Sequence, residues 1–253
     1  MDFECVRLIV EENQIYARIV FVKGKENLIT FRFLDELNAA LDIANNLAIK
    51  IVILEGTDDV FCNGLSFKEI KGNKELCGEL AKAYSNTLYR LISLPQVIIS
   101  KVNGNVSAGG LGIVAASDFA IAKEDVQFCL TELMWGLLPA TIASFLIRKV
   151  GVNAFNQMAL TGKMYTANEA LAIGLISKIS NKLEFEIKRS SVRIGFYSNN
   201  TIERYKKMVN IFAPIDEKVR ERSVEMIVDV MNDEEVKENI RLYVDCGKYP
   251  WEK

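Results

Sequence analysis

The chain is 253 residues long, 50% apolar and 25% charged, with a formal net charge of −2. This is globular composition, and the length suits one large domain or one domain with an appendage. The near-neutral charge argues against nucleic acid as a partner, and the absence of histidine excludes a Ser–His–Asp triad, a Cys–His pair and a histidine-ligated zinc site.

The opening MDFECVRLIV lacks the basic-then-apolar layout of a signal peptide, and no stretch is apolar for long enough to cross a membrane. Five scattered cysteines (Cys5, Cys62, Cys77, Cys129, Cys246) form no CxxC pair and read as reduced thiols. A cytoplasmic protein with neither nucleic acid nor membrane as partner is expected.

Alternating polarity in VRLIVEE and IYARIVFV predicts a hairpin joined by NQ. In FRFLDELNAALDIANNL, residues Phe33, Leu37, Ala40, Leu41 and Ala44 recur at helical spacing. KIVILEG and QVIISKV are continuous apolar runs of the kind buried on both sheet faces, separated by a helix over roughly Cys77–Leu94. FAIA and QFCLTE predict a third and a fourth such strand. Strands alternating with helices imply an α/β core with much parallel sheet. Beyond Ala140, ATIASFLIRKVG, NAFNQMALTG and TANEALAIG read as short helices ending in glycine, Thr166 being an N-cap before Glu169. From Leu183 onward the pattern is mostly amphipathic helix, without repeats or linkers.

GLGIVA, Gly110 to Ala115, matches GxGxxA, with Glu132 as a conceivable ribose-binding acid. The context argues against a dinucleotide site, because the glycines do not directly follow a first strand. Adjacent glycines at a helix start instead expose backbone N–H groups to an oxygen gaining negative charge. The run FCNGLSFKEI offers a second such turn at Gly64, so the N–H groups of Leu65 and Gly109 could form an oxyanion hole. The alternative for each turn is a helix start packed tightly on a sheet. Glu132 likewise reads either as an N-cap or ion-pair partner, or as a base whose apolar setting raises its pKa. Asp118 is expected to cap or pair at a strand start, and Lys68 and Glu69 to lie on a helix in solvent.

VFCNGLSFKEI, KVNGNVSAGGLGIVAASDFAIA, FCLTELMWGLLPA and ALTGKMYTANEALAIGLISKI together resemble, in order and spacing, signature blocks of the crotonase (enoyl-CoA hydratase/isomerase) superfamily, over roughly residues 5–180. The resemblance implies a spiral of ββα units over 1–195, a helical trimerisation or lid region over 196–253, and a homotrimer or dimer of trimers. It implies thioester enolate chemistry with Leu65 and Gly109 as oxyanion donors and Glu132 as catalytic carboxylate. Asn63, Gly64, Ser66, Lys68, Ser107 and Gly110 are the implied substrate-binding positions. No metal or resident cofactor is expected, since the substrate rides on phosphopantetheine of an acyl carrier protein or on CoA. Hydratases of the family carry two glutamates, and the first falls at Gly112 here.

GNVSAGGLGIVAASDFAIA, the single Glu132, LLPATIASFLIRKVG and the terminal YVDCGKYPWEK are similar to the dehydratase subgroup of polyketide β-branching cassettes. That likeness implies dehydration of a 3-hydroxy-3-methylglutaryl thioester on an acyl carrier protein, followed by a companion crotonase-type decarboxylase. For the distal carboxylate, Asn63, Ser107, Lys68 and Lys82 are candidates. A hydratase or isomerase of free CoA thioesters, the companion decarboxylase itself and a non-catalytic interaction subunit are the alternatives.

Overall fold

A computed structural model describes residues 3–11, 15–22, 26–70 and 72–252. Strands β1 (Val6–Val10) and β2 (Tyr16–Phe21) pair antiparallel, Val6 opposite Phe21. The turn expected between them falls at 12–14, outside the described residues. Helix α1 (Phe31–Asn46) begins where the Thr30 hydroxyl accepts from Phe33 N, and it buries the predicted face. Then come β3 (Ile51–Glu55), β4 (Val60–Cys62), α2 (Phe67–Ile70), α3 (Lys74–Ser93), β5 (Val97–Val102), β6 (Asn105–Ser107), α4 (Gly110–Ala116), β7 (Phe119–Ala122) and β8 (Gln127–Cys129). A 3-10 helix over Glu132–Trp135 leads to α5 (Ala140–Thr161), which breaks at Gly151 (φ 77°), where the sequence had suggested one helix ending and another beginning. Next are β9 (Tyr165–Thr166), α6 (Ala167–Ala172) and β10 (Lys178–Ile179), then α7 (Leu183–Gly195), α8 (Asn199–Phe212), α9 (Glu217–Val230) and α10 (Glu234–Cys246). Thr166 caps α6 in a reciprocal capping box with Glu169.

Two sheets result. The larger has the order β1-β2-β3-β5-β7-β10, parallel from β2 onward. The smaller has the order β4-β6-β8-β9, with β4, β6 and β8 parallel. Successive strand residues face opposite sides, so the IVIL run of β3 serves both faces of the larger sheet. Val52 and Leu54 enter the main core with α1, α3 and α4, while Ile51 and Ile53 meet Leu183, Ile187 and Ile194 of α7 and Ile202 of α8. The expected division at 195/196 therefore falls between helices that share one apolar cluster. Helix α8 is anchored by Lys206, whose buried ammonium donates to Asp118 Oδ2 (2.9 Å) and to the carbonyls of Leu91 and Gln96 (3.0 Å each). Asp118 also accepts from Ile98 N at 2.7 Å, so it pairs at a strand start as its position suggested.

The fourth predicted strand is shorter than expected. It ends at Cys129, and Glu132 opens a 3-10 helix instead of closing a strand. Gly136, in the left-handed region at φ 77°, ends that helix, and this tight reversal lets the chain turn into α5.

Candidate functional site

Three neighbouring parallel strands deliver the site. Cys62 of β4 pairs with Val106 of β6, and Ser107 of β6 pairs with Cys129 of β8. The segments leaving these strands emerge side by side at the same sheet edge, where open parallel sheets characteristically bind ligands. The first carries Gly64 and Leu65, the second Gly109, the third Glu132.

The first two segments touch because both are glycine turns. Gly64 lies at φ 90°, and a Cβ there would fall 2.8 Å from Ala108 Cβ and 2.9 Å from Gly109 N. A Cβ on Gly109 would fall 3.2 Å from Gly64 Cα. Ala108 takes a left-handed conformation (φ 47°), a strain of the sort that concentrates at functional sites, held by its N–H donating to Cys129 O at 2.9 Å. Neither Leu65 N–H nor Gly109 N–H has an acceptor among the described residues. Behind them, the buried Tyr84 hydroxyl of α3 donates to Gly109 O and fixes that peptide from the rear.

Glu132 Oε2 is shielded from solvent and has no hydrogen-bond partner among the described residues. Burial pushes this carboxyl up from its ordinary 4.5 to about 7, partly offset by the backbone N–H groups of Glu132 and Thr131. Glu132 lines a cavity of about 370 Å³ together with Leu65, Gly109, Tyr84 and Thr141. The described residues contribute no lysine or arginine to its wall, and the other carboxylate there, Glu26, is exposed. Over the cavity lies an aromatic cluster. Trp135, from the same 3-10 helix as Glu132, sits 4.7 Å from Phe67, 5.1 Å from Tyr243 and 5.6 Å from Trp251, ring centre to ring centre.

Gly112 has no room for a side chain. A Cβ there would lie 2.5 Å from Ile142 Cγ2 and 2.6 Å from Tyr84 Oη. The space beside a potential first carboxylate is thus filled by Tyr84 and Ile142. Cys62, already a poor nucleophile without an imidazole, is pushed by burial to about 12.

The remaining positions divide. Asn63 and Ser107 line the cavity, and Gly64 shapes its turn. Ser66 is buried, its N–H donating to Ile29 O at 3.0 Å, and Gly110 is pressed against the Cys62 carbonyl, so both sit behind the wall. Lys68 and Lys82 are exposed and outside the cavity lining. Sequence reading passed over Tyr84, Thr141 and the aromatic cluster. Tyr84 looked like one more core position of α3, and the aromatics are far apart in the chain.

Comparison with known proteins agrees with this architecture. The family model for enoyl-CoA hydratase/isomerase matches residues 11–253. The bacillaene synthase dehydratase PksH of Bacillus subtilis is 30% identical over 231 residues, 89% of this chain and 88% of that protein. The crystal structure of PksH from Bacillus subtilis superposes with a TM-score of 0.86 at 27% identity, covering 98% of this chain and all of that one. An enoyl-CoA hydratase from Bacillus halodurans shares the fold, with a TM-score of 0.85 at 22% identity over 93% of this chain and 98% of that one. The chain belongs to the enoyl-CoA hydratase/isomerase family and is a hydro-lyase with the crotonase fold.

Proposed function

We propose that the protein dehydrates a 3-hydroxy-3-methylglutaryl thioester, carried on the phosphopantetheine of an acyl carrier protein, to the 3-methylglutaconyl thioester in polyketide β-branching. The observation that carries this reading is the Glu132 carboxyl, raised by burial to about 7, in one cavity with two N–H groups that have no acceptor among the described residues. Its similarity to a bacillaene synthase dehydratase points to the substrate class.

In this mechanism the Leu65 and Gly109 N–H groups hold the thioester carbonyl oxygen. Glu132 takes the C2 proton, and the electron pair moves onto that oxygen as an enolate. Donors fixed where charge develops each lower such a barrier by about 3–4 kcal/mol. The enolate then collapses to the C2–C3 alkene while the C3–O bond breaks, and Glu132 returns the proton to the departing hydroxide as water. One group serving as base and then acid works best with a pKa near the working pH, which is where burial puts it. A tertiary C3 hydroxyl leaves more readily than a secondary one, so a second acid is dispensable.

The acidic helix of a carrier protein would dock near the cavity mouth, with the companion decarboxylase taking the product. The exposed apolar residues Val192, Phe196, Ile211 and Phe212, each more than 60% exposed, support a homo-oligomer built through α7 and α8. The test is intact-protein mass spectrometry of hydroxymethylglutaryl-loaded carrier protein. Loss of one water with wild type and none with Glu132→Gln is expected. No loss with wild type on a competent carrier refutes the reading, and turnover of the free CoA thioester alone moves the assignment to CoA metabolism.

A further inference from the structure

Helix α5 begins without a cap. Its N-cap is Pro139, which has no side-chain oxygen, and its first turn holds no acidic residue. Ala140 N–H and Thr141 N–H find no acceptor among the described residues, and the helix then runs unbroken to Val150. Such an end carries partial positive charge and free donors. Independently, Thr141 is only 5% exposed, yet its hydroxyl has no hydrogen-bond partner among the described residues. Buried hydroxyls are seldom left unpaired, and one that lines a cavity calls for a ligand. Pro139, Thr141 and Ile142 line the cavity that holds Glu132.

The wall of that cavity has no cationic side chain among the described residues. The lysines considered from sequence, Lys68 and Lys82, lie outside. Asn63 and Ser107 flank the glycine turns and so belong to the thioester end. Among the described residues, the uncapped helix end is an electropositive feature of the wall away from the glycine turns.

We infer that the N-terminus of α5, through the Ala140 and Thr141 N–H groups and the Thr141 hydroxyl, is the subsite for a carboxylate at the far end of the acyl chain. This rests on the proposed reaction, whose substrate carries that carboxylate. Donors grouped at one helix end suit the two oxygens of a carboxylate, and charge-assisted hydrogen bonds are the strong ones. The subsite makes Thr141 a specificity-determining residue that selects diacid-derived acyl chains over simple branched ones.

The test is calorimetric binding of two pantetheine thioesters that cannot be dehydrated because they lack the C3 hydroxyl. 3-Methylglutaryl pantetheine has the terminal carboxylate; 3-methylbutyryl pantetheine does not. Wild type is expected to favour the first by about tenfold or more, the scale of hydrogen bonds to a charged group. Thr141→Val keeps the shape and removes the hydroxyl; it should weaken the first ligand several-fold and leave the second unchanged. Thr141→Ser should retain the preference. Equal affinities in wild type overturn the inference, as does a Thr141→Val defect shared equally by both ligands. The carrier dehydration assay, run separately on wild type, isolates failure of the proposed reaction. A protein that prefers the carboxylate ligand but releases no water keeps the subsite and loses the reaction.

Discussion

Replacing Glu132 by glutamine should abolish turnover and, at alkaline pH, stabilise the fold. Burial holds the carboxyl at about 7 against an ordinary 4.5. At 1.36 kcal/mol per tenfold change, that gap corresponds to about 3 kcal/mol. Below the ordinary value, folded and unfolded chains both carry the proton, and pH has no effect through this group. Between the two values the unfolded chain releases its proton while the folded chain keeps it, so wild-type stability falls as pH rises. Above about 7 the folded state contains the buried carboxylate and bears the whole penalty. Glutamine does not titrate, and any fixed packing difference cancels between pH values. The stability advantage of Glu132→Gln should therefore grow by about 3 kcal/mol from pH 4.5 to pH 8, or about 6–12 °C in Tm for a chain of this size. Thermal melts of both proteins at matched concentration across that range measure it. A difference that stays flat with pH, or shrinks as pH rises, refutes the claim that burial raises this carboxyl. The same ionisation predicts that wild-type kcat/KM climbs about tenfold per pH unit below 7 and levels off above it.

Gly112→Glu should not restore a two-carboxylate hydratase. With Ile142 and Tyr84 already at contact distance, it should lower stability by about 1–3 kcal/mol or more and add no hydration of a crotonyl thioester, as read by melting and by loss of enoyl absorbance. Tyr84→Phe removes the donor to Gly109 O. It should cost about 1–3 kcal/mol in chemical denaturation and reduce kcat, and unchanged stability would show that the bond is dispensable. Lys206→Met should cost about 1–3 kcal/mol, because the carbonyls of Leu91 and Gln96 lose their donor and the part-exposed Asp118 loses an ion-pair partner; a double-mutant cycle with Asp118→Asn measures the share that belongs to the pair.

Much of this was legible in the sequence where signals were long or chemically narrow. The apolar runs of β3 and β5 could only be buried strands, and the period of α1 placed its inner face correctly. Gly64 and Gly109 announced themselves as turns, but their mutual contact came from the parallel pairing of β4 with β6, a three-residue strand too short to show any period. Strands β9 and β10, two residues each, were invisible for the same reason. Lys206 lies in a stretch legible only as amphipathic helix, and nothing local reveals its partner Asp118, 88 residues earlier. Thr141 passed as an ordinary first-turn residue of a helix. Its importance lies in what it lacks, a partner for a buried hydroxyl, and only three-dimensional packing exposes a missing partner.

The filled space at Gly112 bears on direction as well as on mechanism. A catalyst lowers the barrier equally both ways, so losing a second carboxylate cannot by itself turn a hydratase into a dehydratase. What the packing of Tyr84 and Ile142 does is remove a position from which a water molecule could be held by two carboxylates at once. On the proposed reading, water addition then depends on Glu132 alone, and so, by microscopic reversibility, does water loss. Such a site suits a substrate whose own structure eases departure of the hydroxyl, as a tertiary alcohol does by feeding electron density to C3. Net flux toward the alkene must then be drawn by whatever consumes the product. On the proposed reading that step is a decarboxylation, and the escape of carbon dioxide makes it effectively irreversible. On that reading the single glutamate is adequate because the substrate assists at one end of the reaction and the following enzyme pulls at the other. That division predicts a concrete result: purified alone with its loaded carrier, the protein should reach a mixture of hydroxylated and unsaturated thioesters from either side, and only addition of the decarboxylase should carry the mixture to completion. One-way conversion by the isolated protein would contradict this account.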